Sequence, residues 1–304
     1  MNDRFNATHV DAWRRDGGVL IERFFNADEV AAVRRDFAAV FGRTAGASEP
    51  MVKKKPGEIG RFDAAQFTTF EAVPFDCSPA LNLIGVHPEL VAFARAALES
   101  ERVQLYQCQV WAKFTGDADY DQPFHCDFVN HTLTAPSEDA RRNCVTILCY
   151  FSDVTEAHGP AHYVARSDSE AFAGPEVTLA GDRTLQDRLR PFERSTAAPA
   201  GSIFPYSIDV YHRGTNMSAP GGHRYAVMAC YKRAGDESIG YHAWQFHHMK
   251  PWQRIFDHAT PEQLACFGVQ PPGDPFWTEI TLARAQARYP NWDMTAYRKK
   301  VSKR

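Results

Sequence analysis

From Arg102 onward the chain breaks into seven short strand-like segments, each ended by a turn signal. They are Val103 to Phe114, Asp121 to Phe128, Cys144 to Val154, Ala161 to Val164, Gly201 to Tyr206, Asp209 to His212 and Arg224 to Tyr231. Turn-rich stretches such as Thr115-Gly116-Asp117 and Pro220-Gly221-Gly222 separate them, and a series of such strands flanked by helices suggests a double-sheet barrel. Helical patterns bracket this region. Asn26 and Glu29 form a capping box ahead of Val30, Val33, Phe37 and Val40 at helical spacing, and a second helix begins at Pro88. Helical stretches return over 262–267, 278–288 and 294–301. The expected fold class is therefore α+β with a mainly β core, a double-sheet barrel buttressed by helices at both ends.

With 304 residues, one decorated barrel domain spans the whole chain in this reading: helices and a long loop over 1–100, the barrel over 101–233 and a helical extension over 234–304. Residues 43–78 are rich in Gly, Pro and charge and are expected to form a loop of the kind that covers a site. Tyr241, Trp244, Phe246, His247, His248 and Trp252 form an aromatic segment expected beside it. A formal charge of -3 provides no basic field for nucleic acid, and Lys53-Lys54-Lys55 reads as a solvated loop. Seven scattered cysteines without a Cys-x-x-Cys motif point to reduced thiols, and no apolar run is long enough to span a bilayer. The expectation is a cytoplasmic protein acting on a small-molecule substrate, with neither nucleic acid nor membrane as partner.

The chemistry concentrates at His125-Cys126-Asp127. In a chain with twelve histidines, roughly one His-x-Asp match arises by chance, and His9-Val10-Asp11 is a second one here. Strand alternation separates the two. Residues two apart on a strand share a face, so His125 and Asp127 can share one metal and Cys126 turns away as a small buried hydrophobe; His9 and Asp11 open a helix, where that spacing splays them. His212 ends a second strand and supplies a third ligand, completing the two-imidazole, one-carboxylate set that leaves positions open on a non-haem iron(II). Arg224 begins a further strand and can grip a carboxylate through two hydrogen bonds.

Read in order, Pro123-Phe124-His125-Cys126-Asp127, Phe151-Ser152-Asp153-Val154-Thr155, Ala200-Gly201-Ser202-Ile203-Phe204, Tyr211-His212-Arg213-Gly214-Thr215 and Arg224 resemble the phytanoyl-CoA dioxygenase family. Trp13-Arg14-Arg15-Asp16-Gly17-Gly18-Val19 is similar to that family's N-terminus, and the resemblance covers roughly residues 8 to 233. It implies a double-stranded β-helix (jelly roll, cupin-like) enzyme using Fe(II), 2-oxoglutarate and dioxygen. In it His125, Asp127 and His212 would hold the iron, and Arg224 the far carboxylate of 2-oxoglutarate. Similarity to the ectoine hydroxylases within the family adds Gln107 and Lys113 as cosubstrate-binding residues, and places His131 at the cosubstrate or substrate pocket. Because Asp127 keeps a carboxylate where related halogenases have a small residue, the resemblance implies hydroxylation of an unactivated C–H bond.

Three departures stand out. Val164-Ala165-Arg166-Ser167-Asp168 replaces a Pro-Gly-Ser-His run, Gly214 stands where a cosubstrate-contacting serine is common, and the spacing from His212 to Arg224 is one residue longer. Two other readings of the residues are a zinc-dependent cupin-like hydrolase and a catalytically silent jelly-roll binding protein. The first leaves Arg224 and Gln107 without a role, and the intact triad argues against the second.

Overall fold

The structure, a computed structural model, describes residues 4–41, 70–116, 121–132, 136–173, 183–240 and 250–301. Most of the 43–78 loop, the Lys53-Lys54-Lys55 run, and Tyr241, Trp244, Phe246, His247 and His248 lie outside the described residues. The N-terminal part holds α1 (Ala7–Asp16), α2 (Ala27–Phe41), β1 (Phe70–Ala72), α3 (Pro79–Asn82) and α4 (Pro88–Leu98). Next come β2 (Val103–Phe114), α5 (Phe128–His131), β3 (Val145–Tyr150), β4 (Ala161–Tyr163), α6 (Arg166–Ala173), α7 (Arg183–Leu189) and β5 (Arg194–Ser195). β6 (Ile203–Ser207), β7 (His212–Gly214) and β8 (His223–Arg233) complete the sheets, and α8 (Gln253–Phe256), α9 (Pro261–Cys266), α10 (Glu279–Arg288) and α11 (Thr295–Val301) follow.

All strand pairs are antiparallel. One sheet has the order β1-β2-β8-β3-β6, the other β5-β4-β7. Residues 18–21 extend the large sheet past β6, where Val19 and Ile21 donate their N–H groups to Pro205 and Ile203. The predicted helix starts hold. Asn26 and Glu29 exchange side-chain-to-backbone hydrogen bonds of 2.9 and 3.0 Å, and Pro88 sits in the first turn of α4.

Each long strand has two destinations for its side chains. Leu105, Cys108, Val110, Ala112 and Phe114 of β2, with Val227, Ala229 and Tyr231 of β8, pack in one cluster with residues of both helical ends, from Trp13 and Phe37 to Trp292 and Tyr297. The alternate residues face inward, towards the small sheet. That explains why β3 is buried at all six positions rather than at every second one: helices cover one face and the second sheet covers the other. Among the described residues no helix is long and apolar enough to cross a membrane.

Two expected strands differ. Residues 121–127 form no regular strand, because Pro123 lacks an N–H and Asp127 has helical backbone angles (φ -84°, ψ -4°) at the entry to α5; only His125 bridges to a neighbour. The strand expected over 209–212 starts instead at His212, after a turn in which Val210 N–H bonds back to Ser207 O. The His9-Val10-Asp11 motif lies within α1, as expected, and His9 has a purely structural task. Its Nδ1 accepts from Asn6 N–H while its own N–H bonds Asn6 Oδ1, capping the helix.

Gly17 ends α1 with φ +75°, and an added Cβ would lie 2.1 Å from Val210 Cγ2. Gly17→Ala is therefore expected to destabilise the fold by about 1–3 kcal/mol, from left-handed strain and overpacking together, as read by denaturant unfolding.

Candidate metal centre

His125 and His212 are brought together by their own backbones. Each donates its N–H to the other's carbonyl at 3.0 Å, so the irregular 121–127 segment is stitched to β7 at the two imidazoles. The ring centroids lie 4.5 Å apart. His125 Nδ1–H points to Pro123 O at 2.9 Å and His212 Nδ1–H to Val210 O at 3.0 Å, which leaves both Nε2 atoms as acceptors aimed at Asp127. His212 Nε2 lies 3.3 Å from Asp127 Oδ2 and His125 Nε2 lies 3.7 Å from Oδ1. One ligand atom from each of the three residues falls within 4.8 Å of the others, and among the described residues no other group of His, Cys, Asp and Glu does so. Cys126 is fully buried on the opposite side with Phe124, Val164 and Tyr211.

The electrostatics suit a cation. Burial, then the neighbouring His212, pushes the His125 imidazolium down to about 4, so the ring is neutral at physiological pH. Burial acts against the Asp127 carboxylate, but His212, His125 and His131 outweigh it and hold its carboxyl well below the usual range. The same carboxylate overcomes burial at His212 and raises that imidazole. A divalent ion placed among these atoms would replace proton-mediated attraction with coordination. Two imidazole nitrogens and one carboxylate grouped on one side of a cavity fit the donor set of a non-haem iron(II) with open positions.

Three further residues, which the sequence did not single out, hold the triad in place. Tyr206 OH donates to Asp127 Oδ2 at 3.1 Å, its ring 4.7 Å from that of His212. Burial and the adjacent Asp127 keep this phenol protonated, its pKa well above the ordinary value. Gln186 of α7 bonds both backbone groups of Phe124, at 2.7 and 2.9 Å, acting as a substitute strand beside the ligand segment. Gln122 bonds Gly214 through backbone and side chain alike. None of these pairings has a local sequence signal, since each partner lies at least 62 residues away.

The triad opens on a cavity of about 400 Å³. Gln107, His131 and Arg224 line it, as do Gln109 and Trp111, which follow Gln107 at strand spacing and were legible by that rule. His131 is buried and its Nδ1 meets Tyr106 OH at 2.5 Å. Lys113 is buried opposite Arg224 in the β2–β8 register but is not among the residues lining the cavity. Arg224, 4% exposed, donates Nη1 to Gly159 O and lies over Trp111 with its guanidinium carbon 4.9 Å from the ring centroid. Its Nε has no hydrogen-bond partner, and no acidic side chain pairs with it among the described residues. Burial lowers its pKa, yet a guanidinium stays charged. Arg166, in the run that departs from the resemblance, is committed elsewhere: it starts α6 and pairs with Asp209 at 2.8 Å.

The model of the family described as phytanoyl-CoA dioxygenase (PhyH) matches residues 13–219. The chain belongs to that family. The match takes in His125, Asp127 and His212 and stops short of Arg224. The family is one of non-haem iron and 2-oxoglutarate-dependent enzymes, and the His-Asp-His set described above is present in this member.

Similar solved structures share the fold. They include the epimerase SnoN from nogalamycin biosynthesis in complex with Fe3+, alpha ketoglutarate and nogalamycin RO (19% identity, TM-score 0.56, covering 75% of this chain and 83% of that one). The carbocyclase SnoK from the same biosynthesis is 18% identical, with TM-score 0.56, covering 81% and 90%. EctD from S. alaskensis with 2-oxoglutarate and 5-hydroxyectoine is 16% identical, with TM-score 0.54, covering 78% and 79%. No curated protein matches the sequence.

Tyr206→Phe removes a hydroxyl that donates to Asp127 and keeps the ring. Divalent-metal affinity, measured by competition with a chelating dye, is expected to fall by about 10-fold, near the lower end for lost outer-shell partners, with the melting curve little changed.

Proposed function

We propose that this protein is an Fe(II)- and 2-oxoglutarate-dependent dioxygenase that hydroxylates an unactivated C–H bond of a small organic metabolite, releasing succinate. In this reading one domain spans the chain, and its two sheets are the halves of a double-stranded β-helix. The observation that carries it is Arg224: a buried guanidinium with an unpartnered Nε, in the same cavity as a three-ligand metal site. A buried cation without a carboxylate is costly unless a ligand supplies one. A zinc hydrolase would have no use for it.

His125, Asp127 and His212 would hold the iron and Arg224 the far carboxylate of 2-oxoglutarate. Gln107 would bind the same cosubstrate from β2. Lys113, paired with Arg224 on the same face of the β2–β8 ladder but outside the cavity lining, would contribute charge rather than contact. His131, fixed by Tyr106, would face the cosubstrate or substrate from the metal side. When bound, iron and 2-oxoglutarate couple reduction of dioxygen to decarboxylation of the oxo acid, which is the chemistry the protein itself lacks.

The chain's own residues position and shield. Tyr206 holds the Asp127 carboxylate as an acceptor, the two Nδ1–H bonds keep both imidazoles in the ligating tautomer, and Leu148, Phe204 and Met228 supply an apolar wall that excludes water. Asp127 keeps a carboxylate where related halogenases have a small residue, which would favour hydroxylation. The aromatic and amide lining of Trp111, Gln109 and Asn130 suits an organic metabolite.

Anaerobic addition of Fe(II) and 2-oxoglutarate to the apo-protein is expected to produce a visible charge-transfer band, and admission of air to release succinate. Arg224→Ala should weaken 2-oxoglutarate by about 2–4 kcal/mol, roughly 30- to 1,000-fold, while sparing iron, whereas His212→Ala should lose the iron. Unchanged cosubstrate affinity in Arg224→Ala would sink the assignment of the arginine.

A further inference from the structure

Arg224 is a buried cation held without a carboxylate, and the way it is held leaves one edge of it open. Among the described residues its hydrogen bond runs from Nη1 to Gly159 O, and no acidic side chain pairs with it. Nε has no partner, and Nη2 makes no hydrogen bond among these residues. Nε and Nη2 are adjacent in-plane donors, a pair that can meet both oxygens of one carboxylate. An acidic neighbour would steady this guanidinium but would consume that edge.

Trp111 steadies it in another way. The β2–β8 register sets Trp111 opposite Ala226 and Lys113 opposite Arg224, so Trp111 and Arg224 are diagonal neighbours on the inner face. Ala226 has only a methyl group and leaves room between them, and the Arg224 guanidinium carbon lies over the indole, 4.9 Å from the ring centroid. The indole is itself braced. Phe70 of β1 stands opposite Trp111 in register and meets it at 63°, with ring centroids 5.5 Å apart. Phe70, Trp111 and Arg224 all line the cavity. An aromatic face attracts a cation through its quadrupole without competing as an oxygen acceptor, so it offsets part of the cost of burial and leaves the donors to a ligand.

We propose that Trp111 is a positioning residue for the cosubstrate: with Gly159 O it fixes the Arg224 guanidinium so that the Nε–Nη2 edge is ready for the far carboxylate of 2-oxoglutarate. This rests on the reading of the site as an iron and 2-oxoglutarate centre. A Trp111 that served only as cavity wall would matter equally to any 2-oxo acid and would be replaceable by an aliphatic side chain. One that acts through Arg224 matters only to a ligand with a second carboxylate, and needs an aromatic face.

The test is anaerobic calorimetry of 2-oxo acid binding to the iron(II)-loaded protein, with iron affinity and melting temperature measured in parallel. Trp111→Leu is expected to raise the 2-oxoglutarate Kd by roughly 3- to 10-fold, the scale of immobilising one long side chain on binding, with iron affinity retained. Trp111→Phe should restore much of that loss. Binding of 2-oxovalerate, which lacks the far carboxylate, should be the same in Trp111→Leu as in wild type. A folded Trp111→Leu protein whose 2-oxoglutarate Kd rises by less than about threefold overturns the proposal. So does a Trp111→Phe protein that binds no better than Trp111→Leu, or an equal loss of affinity for 2-oxovalerate. If Trp111→Leu does not fold, Trp111→Met, a flexible chain without a ring face, takes its place under the same limits. Wild-type protein that holds iron but shows no 2-oxoglutarate binding would refute the underlying reading of the site, a result distinct from any of these.

Discussion

The backbone pairing of His125 with His212 is the contact on which the site depends. Two reciprocal N–H···O bonds of 3.0 Å join segments 87 positions apart in the chain and set both imidazoles on the same cavity. The remaining contacts act on that junction. Nδ1 bonds to Pro123 O and Val210 O choose the tautomers, Gln186 holds Phe124 in the absence of a neighbouring strand, and Tyr206 places the carboxylate. In this way a short irregular segment acquires the rigidity of a strand without its regular ladder, which is the precision a metal site requires.

The large sheet contributes a second device. Between Leu105 and Gln107 the β2–β8 register slips by one residue, and Tyr106 is the extra residue of the bulge. Leu105 before it and Cys108 after it both pack towards the helices, while Tyr106 and Gln107 both serve the inner side. One bulge thus gives the cavity Gln107, Gln109 and Trp111, and gives His131 its Tyr106 partner. At the far end of β2 the same inward face carries Lys113 opposite Arg224, so two positive charges lie side by side there.

The strand boundaries from Val103 to Phe114 and around β8 were legible because alternation and turn residues agree there, and the helix starts at Asn26 and Pro88 because caps are local chemistry. His125-x-Asp127, and not His9-x-Asp11, comes together with a third histidine, but strand alternation accounts for this only in part. Asp127 is not on a strand; it reaches the metal site from a helical backbone at the start of α5. Tyr206, Gln122 and Gln186 were missed because nothing within a few residues of any of them marks its partner.

By itself the sequence determined the chemical inventory: three side chains of metal-ligating kinds, an arginine able to pair with a carboxylate, helical ends around a β core, and an order of motifs that matches one enzyme family. These follow from residue identity and from periodicity over a few residues. Only the tertiary structure decided that Arg224 is buried without an acidic partner among the described residues, that Lys113 pairs with it outside the cavity lining, and that Gln122 occupies the space Gly214 leaves open. Those facts depend on which distant segments pair and in what register, and a one-residue slip at a bulge or a proline is enough to change which face a side chain serves.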